Sequence, residues 1–262
     1  MIRLPFRRRR ELGQHFLADE NIVAVALRLA DLGAQDVVLE VGPGLGVLTK
    51  VLVERAAFVH AIEIDRGLEP HLRELVAPKE NANVVFADAL AYPLAELDPP
   101  PNKFVANLPY NVATPLVVES LDGLPTVELW CVMVQREVAD RFFARPGTKS
   151  YGAVSVLVQL TSERVGFHAV SRTVFRPPPN VDSALVAFRR RRSWGPEFGR
   201  VKEVVQAAFA HRRKTLANSL ALVDLAARAD VAASLERLDR PPEVRAEALA
   251  PEEFVRLAEL LP

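Results

Sequence analysis

The run Asn107-Leu108-Pro109-Tyr110 combines groups suited to holding an amine. The Asn107 side-chain oxygen can accept one N–H. Pro109 forces Leu108 out of helical backbone geometry, which can turn the Leu108 carbonyl to accept the other. Two acceptors draw lone-pair density back onto nitrogen, and the Tyr110 ring offers a face on which a base can stack. A plain Asn-x-Pro turn would have the same first residues; the position after a strand and the adjacent Tyr favour the chemical reading. Upstream, Glu40-Val41-Gly42-Pro43-Gly44-Leu45-Gly46 joins a strand to a helix. Its glycines let backbone approach a ligand, and the helix start offers free N–H groups. The third glycine comes one position early for a dinucleotide fingerprint, and position 47 is Val, so the loop suits a nucleoside-bearing cofactor better than a pyrophosphate. Glu63 ends the next strand, where a carboxylate can accept from both ribose hydroxyls. Asp88 follows the third strand and can accept from an adenine amine. Three such features at successive strand ends mark the sheet edge where open α/β sheets bind ligands.

Those residues require a doubly wound α/β sheet to hold them. Apolar runs predict strands over 37–41, 58–64, 83–87, 103–106 and 127–134. Helical spacing predicts helices over 45–54, 68–76 and 115–121, the last opened by Pro115 with Thr114 as its N-cap. Residues 151–160 are read as helix, and 162–170 and 183–190 as a closing pair of strands. After Ser193-Trp194-Gly195-Pro196 strand-like runs vanish. Residues 201–209, 215–227, 231–238 and 251–260 read as amphipathic helices, interrupted at Asp239-Arg240-Pro241-Pro242. The expectation is a ligand-binding domain over 1–194 and a small helical domain over 195–262.

Composition bounds the rest. Half of the 262 residues are hydrophobic, ample for a buried core, and 33 basic residues balance 33 acidic ones. Zero net charge argues against a nucleic-acid partner, but the distribution does not. Arg7–Arg10, Arg189–Arg192 and His211-Arg212-Arg213-Lys214 form three basic clusters, as a molecule with one phosphate-facing side would have. The single cysteine, Cys131, lies in an apolar run, which excludes an internal disulfide and points to a buried small hydrophobe and a cytoplasmic setting. No apolar stretch approaches a membrane span, and the first residues lack the apolar region of a signal peptide. His60, His71, His168 and His211 show no metal-ligand spacing, so no metal is expected.

Taken together, these residues resemble one family. Asn-Leu-Pro-Tyr is similar to the [Asn/Asp/Ser]-Pro-Pro-Tyr signature of amino-methyltransferases. The whole set resembles the rRNA adenine N6,N6-dimethyltransferases, in their bacterial small-subunit (KsgA) branch. The likeness runs from Gly13-Gln14-His15-Phe16-Leu17 through the glycine loop, Glu63-Ile64-Asp65, Asp88-Ala89 and Asn107–Tyr110. It continues through 135–141, Tyr151-Gly152, the run Val174-Phe175-Arg176-Pro177-Pro178-Pro179-Asn180-Val181-Asp182-Ser183, and 209–218.

The resemblance implies a Rossmann-like class I methyltransferase sheet that binds S-adenosylmethionine, followed by a small helical RNA-binding domain. Residues 13–17 would wrap the methionine end of the cofactor, Leu17 through its backbone; the family most often has Asn where this chain has His15. Gly42, Gly44, Ala89 and Asn107 would line the cofactor, Glu63 its ribose and Asp88 its adenine. Asn107, Leu108, Pro109 and Tyr110 would hold the target amine. Phe175, on a loop stiffened by three prolines, would clamp the base against Tyr110. The implied reaction is dimethylation of two adjacent adenosines near the 3′ end of 16S rRNA in the immature small subunit, by a monomer acting in ribosome biogenesis. The alternatives are a large-subunit (Erm-type) adenine methyltransferase, which the Phe-Arg-Pro-Pro-Pro-Asn-Val-Asp-Ser run disfavours, and an assembly factor acting mainly by binding.

Overall fold

The structure, a computed structural model, describes residues 14–262. The Arg7–Arg10 run and Gly13 lie outside the described residues. A seven-stranded sheet is built from β2 (Val37–Val41), β3 (Phe58–Glu63), β4 (Ala82–Phe86), β5 (Lys103–Asn107), β6 (Leu129–Gln135), β7 (Ser162–Val170) and β9 (Ser183–Arg190). Its order is β4-β3-β2-β5-β6-β9-β7. The first five strands run parallel, with Val37 opposite Phe58 and Lys103 opposite Leu129. β9 returns antiparallel to β6, with Gln135 opposite Ser183. Val38, Leu39, Val59, Phe104, Val105, Trp130 and Val132 are all completely buried. Helices on both faces explain why these strands read as unbroken apolar runs and not as alternating ones. The winding direction reverses between β2 and β5. At such a switch point the loops leave in opposite directions and open a crevice at the strand C-termini.

Helix α1 (Glu20–Leu29) is the largest element that the periodicity reading passed over. Asp19 caps it by accepting the Asn21 N–H at 2.9 Å, and Ile22, Val23, Ala26 and Leu27 bury its apolar face. Helices α2 (Val47–Arg55), α3 (Glu69–Val76), α4 (Ala113–Gly123) and α5 (Arg136–Phe142) follow β2, β3, β5 and β6. α4 starts earlier than expected: Val112 holds the N-cap position without a side-chain bond, so Thr114 lies inside the first turn and is not the cap. A two-residue pair, β1 (Phe16–Leu17) with β8 (Phe175–Arg176), sets Leu17 opposite Phe175. Cys131 is buried, its thiol donating to the Ala26 carbonyl at 3.4 Å, and burial pushes its pKa up to about 12. That thiol stays protonated and packs as the expected small hydrophobe.

The second basic cluster is largely consumed by structure. Arg190 donates to the carbonyls of Val127, Leu121 and Leu124 at 2.7, 2.8 and 2.9 Å, and its guanidinium lies 4.8 Å from the Trp130 ring centroid. Burial lowers its pKa, though not enough to discharge a guanidinium. These bonds take up carbonyls at and beyond the end of α4, where a cation is favoured. Arg189, in contrast, makes an exposed ion pair with Asp31 at 3.5 Å. Arg190→Ala is therefore expected to cost about 2 kcal/mol in urea unfolding, through carbonyls stripped of a charged donor. Arg189→Ala should cost less than about 0.5 kcal/mol.

Contacts divide the chain into 1–139 with 164–190, and 140–163 with 191–262. The segment 140–163 thus groups with the C-terminal helices, where the single cut near residue 194 would have put it in the first domain. The reason is α6 (Ala153–Thr161), which packs on α7 (Glu197–Ala210) and α10 (Pro251–Leu260). Just before α6, the fully buried Tyr151 donates its hydroxyl to the Leu249 carbonyl at 2.9 Å. A chain that leaves one unit and returns to it cannot be divided by one boundary. Within this second unit, α8 (Leu216–Leu222) and α9 (Arg228–Arg237) complete the bundle. The helix expected over 215–227 stops at Leu222: Asp224 turns left-handed at φ 55°, and the Leu225 N–H reaches back to the Leu220 carbonyl. Arg191 and Arg192 donate their backbone N–H groups to the Thr161 carbonyl, and the Arg192 guanidinium lies over Trp194 at 3.7 Å.

Candidate active site

A cleft of about 770 Å³ opens at the C-terminal ends of β2, β3 and β5. The glycine loop forms one wall, residues 14–17 a second, and Asn107–Tyr110 a third. These segments are fitted to one another. Gly42 has φ +75°, and a Cβ there would come within 3.2 Å of Pro109 Cδ; Gly44 has φ +59°, and its Cβ would meet Phe16 Cδ1 at 3.0 Å. Both positions therefore exclude side chains through backbone strain and through close approach.

Glu63 ends β3 almost fully buried. One carboxylate oxygen accepts the Gly44 N–H at 3.0 Å and the other accepts the Asp65 N–H at 2.9 Å. Burial pushes its pKa up, partly opposed by those backbone donors. Each oxygen keeps lone-pair capacity for a ligand hydroxyl, so the predicted ribose role suits the geometry. Asp65 in turn accepts from Gln14 Nε2 at 2.7 Å, tying residues 14–17 to the end of β3. Asp88 follows β4, where the Ala87 N–H donates to the Glu63 carbonyl. Asp88 is exposed and Ala89 is buried. Neither contributes to the cleft wall; they stand beside it, with one Asp88 oxygen accepting the Leu90 N–H at 3.0 Å.

Among the described residues, no donor or acceptor bonds the Asn107 side chain, and no donor reaches the Leu108 carbonyl. The Leu108 N–H is anchored on the Met133 carbonyl at 3.0 Å, and its side chain is buried. Two acceptors thus stand at the cleft on a backbone held by β6. Tyr110 is fixed by a 2.6 Å hydrogen bond between its hydroxyl and Ser183 Oγ, a buried group on β9. The hydroxyl positions the ring, which the sequence did not suggest.

Two site residues differ from expectation. Phe175 does not face Tyr110. It is fully buried in the apolar cluster with Leu17, Ile22, Met133 and Leu185, because its pairing with Leu17 turns it into the core. The ring that does lie over Tyr110 is His15, at 5.9 Å between centroids and 25° between planes. Glu40, which the sequence reading passed over as part of a strand, lines the cleft at 1% exposure with Oε2 unpartnered. Burial, reinforced by the charge of Glu63, pushes its pKa up to about 8. An acidic residue inside an apolar strand just before Gly-x-Gly was the available signal. Among the described residues, no group of three or more His, Cys, Asp or Glu is placed to hold a metal ion, and no helix is long and apolar enough to cross a membrane.

Residues 5–261 match the family model for ribosomal RNA adenine dimethylase. The chain is 49% identical over 251 residues to a ribosomal RNA small subunit methyltransferase A of Rubrobacter xylanophilus, covering 96% of this chain and 94% of that one. It is 45% identical to the protein of the same name in Thermobifida fusca, over 99% and 92% of the two chains. Among solved structures, a dimethyladenosine transferase from Plasmodium falciparum superposes with TM-score 0.76 at 26% identity, over 93% and 96% of the chains. The 23S rRNA methyltransferase ErmE superposes with TM-score 0.65 at 32% identity, over 94% and 99%. A switch-point cleft walled by the glycine loop and Asn107–Tyr110, in a chain matched almost end to end, accompanies the match that places this protein in the ribosomal RNA adenine dimethylase family.

Proposed function

We propose that this protein transfers methyl groups from S-adenosylmethionine to the exocyclic amines of two adjacent adenosines near the 3′ end of 16S rRNA, two to each. The observation that carries the chemistry is the pair of unsatisfied acceptors, the Asn107 side chain and the Leu108 carbonyl, beside the Tyr110 ring. When bound, the cofactor supplies the methyl as a sulfonium electrophile. Glu63 holds the ribose, the left-handed glycines keep the cleft floor free of side chains, and Asp88 offers an oxygen to the cofactor adenine. The Asn107 side-chain oxygen and the Leu108 carbonyl would accept hydrogen bonds from the amine N–H groups, two in the first transfer and one in the second, which would keep the nitrogen lone pair out of the ring and aimed at the methyl. Fixing that alignment supplies ~7–11 kcal/mol of barrier reduction. Tyr110 stacks on the extruded base and offsets the few kcal/mol of unstacking.

The small subunit is favoured over the large because relatives at 45–49% identity bear the small-subunit name, against 32% for ErmE. This reading puts the protein in the cytoplasm as a monomer on the immature small subunit. The test is incubation with methyl-labelled cofactor and separated unmodified subunits, followed by digestion to nucleosides. Labelled dimethyladenosine from small subunits is expected. Label in the large subunit would instead assign the Erm-type reaction, and tight binding without label would assign an assembly role.

RNA binding should rest on part of the third basic cluster only. The Arg212 guanidinium donates to the Tyr151 and Lys149 carbonyls at 2.8 and 3.1 Å, fastening the segment before α6. Arg213 and Lys214 are exposed beside it. Replacing Arg213 and Lys214 by Ala should reduce the salt slope of subunit binding by about one counterion for each phosphate no longer neutralised, with the melting temperature unchanged. Arg212→Ala should lower the melting temperature. An unchanged slope in the double variant would remove this cluster from the RNA interface.

A further inference from the structure

The run 135–141 has no task in the chemistry proposed above, and its exposed second residue points to one. Arg136 begins α5 directly after β6, where Gln135 lies opposite Ser183 and the Arg136 N–H donates to the Asp182 carbonyl at 3.0 Å. Its guanidinium lies over the Phe167 ring on β7, the outermost strand of the sheet, at 4.8 Å from the centroid. A second guanidinium, that of Arg164, stands 6.0 Å from the same centroid. The strand between β6 and β7 is β9, which begins at Ser183, the residue that fastens the Tyr110 hydroxyl. The contact of Arg136 with Phe167 therefore bridges the strand whose first residue anchors the Tyr110 ring.

The face of β7 that carries this contact is uncovered. A Cβ on Gly166 would meet Leu29 Cδ2 at 2.7 Å, so Gly166 faces α1. Alternation along the strand sends Val165, Phe167 and Ala169 to the opposite face. There Val165 is 48% exposed, Ala169 is exposed and Phe167 is half-buried. Charge does not account for the cluster. Arg136, Arg164, Arg172 and Arg176 are exposed, but so are Glu137, Glu163 and Asp182 in the same stretches of chain. That near balance leaves little attraction for phosphate. A guanidinium over an aromatic ring is instead a stacking platform: it is planar, permanently charged, and offers its second face to an unpaired base.

We infer that Arg136 and Phe167 seat the unpaired nucleotide next to the target adenosine: its base stacks on the guanidinium that Phe167 supports, while the target base lies on Tyr110. The inference rests on the adenine-methylating reading above and adds to it a site for the neighbouring nucleotide. It gives the uncovered face of β7 a ligand and the run 135–141 a task. With two adjacent adenosines as targets, the seated neighbour is the second adenosine in one of the two rounds. Overall subunit affinity should change little when the seat is removed, because phosphate contacts dominate it; the loss should appear in the placing of the strand at the cleft.

The experiment compares Phe167→Ala, Phe167→Tyr and Arg136→Ala with the wild-type protein, all full length. The substrates are unmodified small subunits, and small subunits reconstituted with 16S rRNA carrying an abasic nucleotide immediately before or immediately after the adenosine pair. Single-turnover methyl transfer is read for each, beside melting temperature and cofactor affinity by calorimetry. On intact rRNA, Phe167→Ala and Arg136→Ala are expected to slow transfer about tenfold, the effect of one stacked base, and Phe167→Tyr by less than about twofold. One of the two abasic substrates should slow the wild-type protein by the same factor at the adenosine beside it and slow neither alanine variant further. Melting temperature and cofactor affinity should stay unchanged. Losses that multiply, each alanine variant being slowed a further tenfold by the abasic nucleotide, would overturn the seat. A lowered melting temperature in Phe167→Ala with normal transfer by Arg136→Ala would also overturn it, leaving Phe167 a packing role. Absence of wild-type transfer to any small subunit would overturn the adenine reading together with this inference, whereas wild-type transfer matched by all three variants would overturn the inference alone.

Discussion

Asn107→Ala is expected to lower single-turnover methyl transfer by about 10²–10³, the usual consequence of removing one preorganised polar group from a transition state. The size of the effect follows from the geometry. The Asn107 side chain reaches the cleft with no competing hydrogen bond among the described residues, so its acceptor oxygen needs no rearrangement to meet an amine. The backbone beneath it is held by the Leu108 N–H on Met133. The deletion should therefore leave the Leu108 carbonyl in place and remove half of the amine cradle. Cofactor affinity should fall little, because Glu63 and the glycine loop remain. Subunit affinity should barely change, since phosphate contacts dominate it. Tyr110→Phe provides the contrast. It keeps the ring face but leaves Ser183 Oγ, a buried group, without its 2.6 Å partner, so a loss of about 1 kcal/mol in stability should accompany a modest fall in rate. Near-normal dimethyladenosine from Asn107→Ala, with product nucleosides separated, would disprove the assigned amine chemistry even with the fold and the cofactor site correct.

The ease with which this site reads from sequence has a physical origin. Gly42, Gly44, Glu63 and Asn107 announce themselves because each is a polar or flexible residue at the abrupt end of an apolar run, and strand ends are where a parallel sheet must place its ligand groups. Local signals of this kind need no knowledge of tertiary packing. Phe175 failed for the opposite reason. Nothing in Phe-Arg-Pro-Pro-Pro states which way the ring turns; that was decided by a two-residue pairing with Leu17, more than 150 positions away in the chain. The basic clusters misled similarly. Arg190 and Arg212 look in sequence like phosphate ligands, yet their guanidinium groups serve backbone carbonyls, the first at the end of α4 and the second just before α6. Charge counted along a chain cannot distinguish a solvated face from a helix C-terminus in need of a cation. The domain division was missed at 140–163 because amphipathic helices carry no label for the core they join.

Glu40→Gln is expected to stabilise the ligand-free protein by a few kcal/mol at pH 8 and by nothing at pH 4. Glu40 ends up with its carboxyl at 1% exposure, one oxygen unpartnered, beside a second carboxylate at Glu63. In the folded protein burial raises its pKa from 4.5 to about 8. Below about pH 4.5 both the folded and the unfolded chain hold the proton, and the group contributes no pH-dependent penalty. Between these values the unfolded chain releases the proton while the native state keeps it. The native state then binds more protons, so stability falls as pH rises, and the fall levels off above the folded pKa. At 1.36 kcal/mol per unit, the ceiling on this loss is ~5 kcal/mol. Glutamine has nearly the same volume and cannot ionise, so it removes the slope without opening a cavity. Urea unfolding of both proteins from pH 4 to 9 measures the difference directly: the two stability curves should meet at the acid end and diverge steadily through neutrality. Parallel curves would mean that Glu40 ionises at its ordinary pH in the native cleft, through solvent access that its burial denies. Divergence would show that the wall of the cleft beside the glycine loop carries a neutral carboxyl at Glu40 at neutral pH.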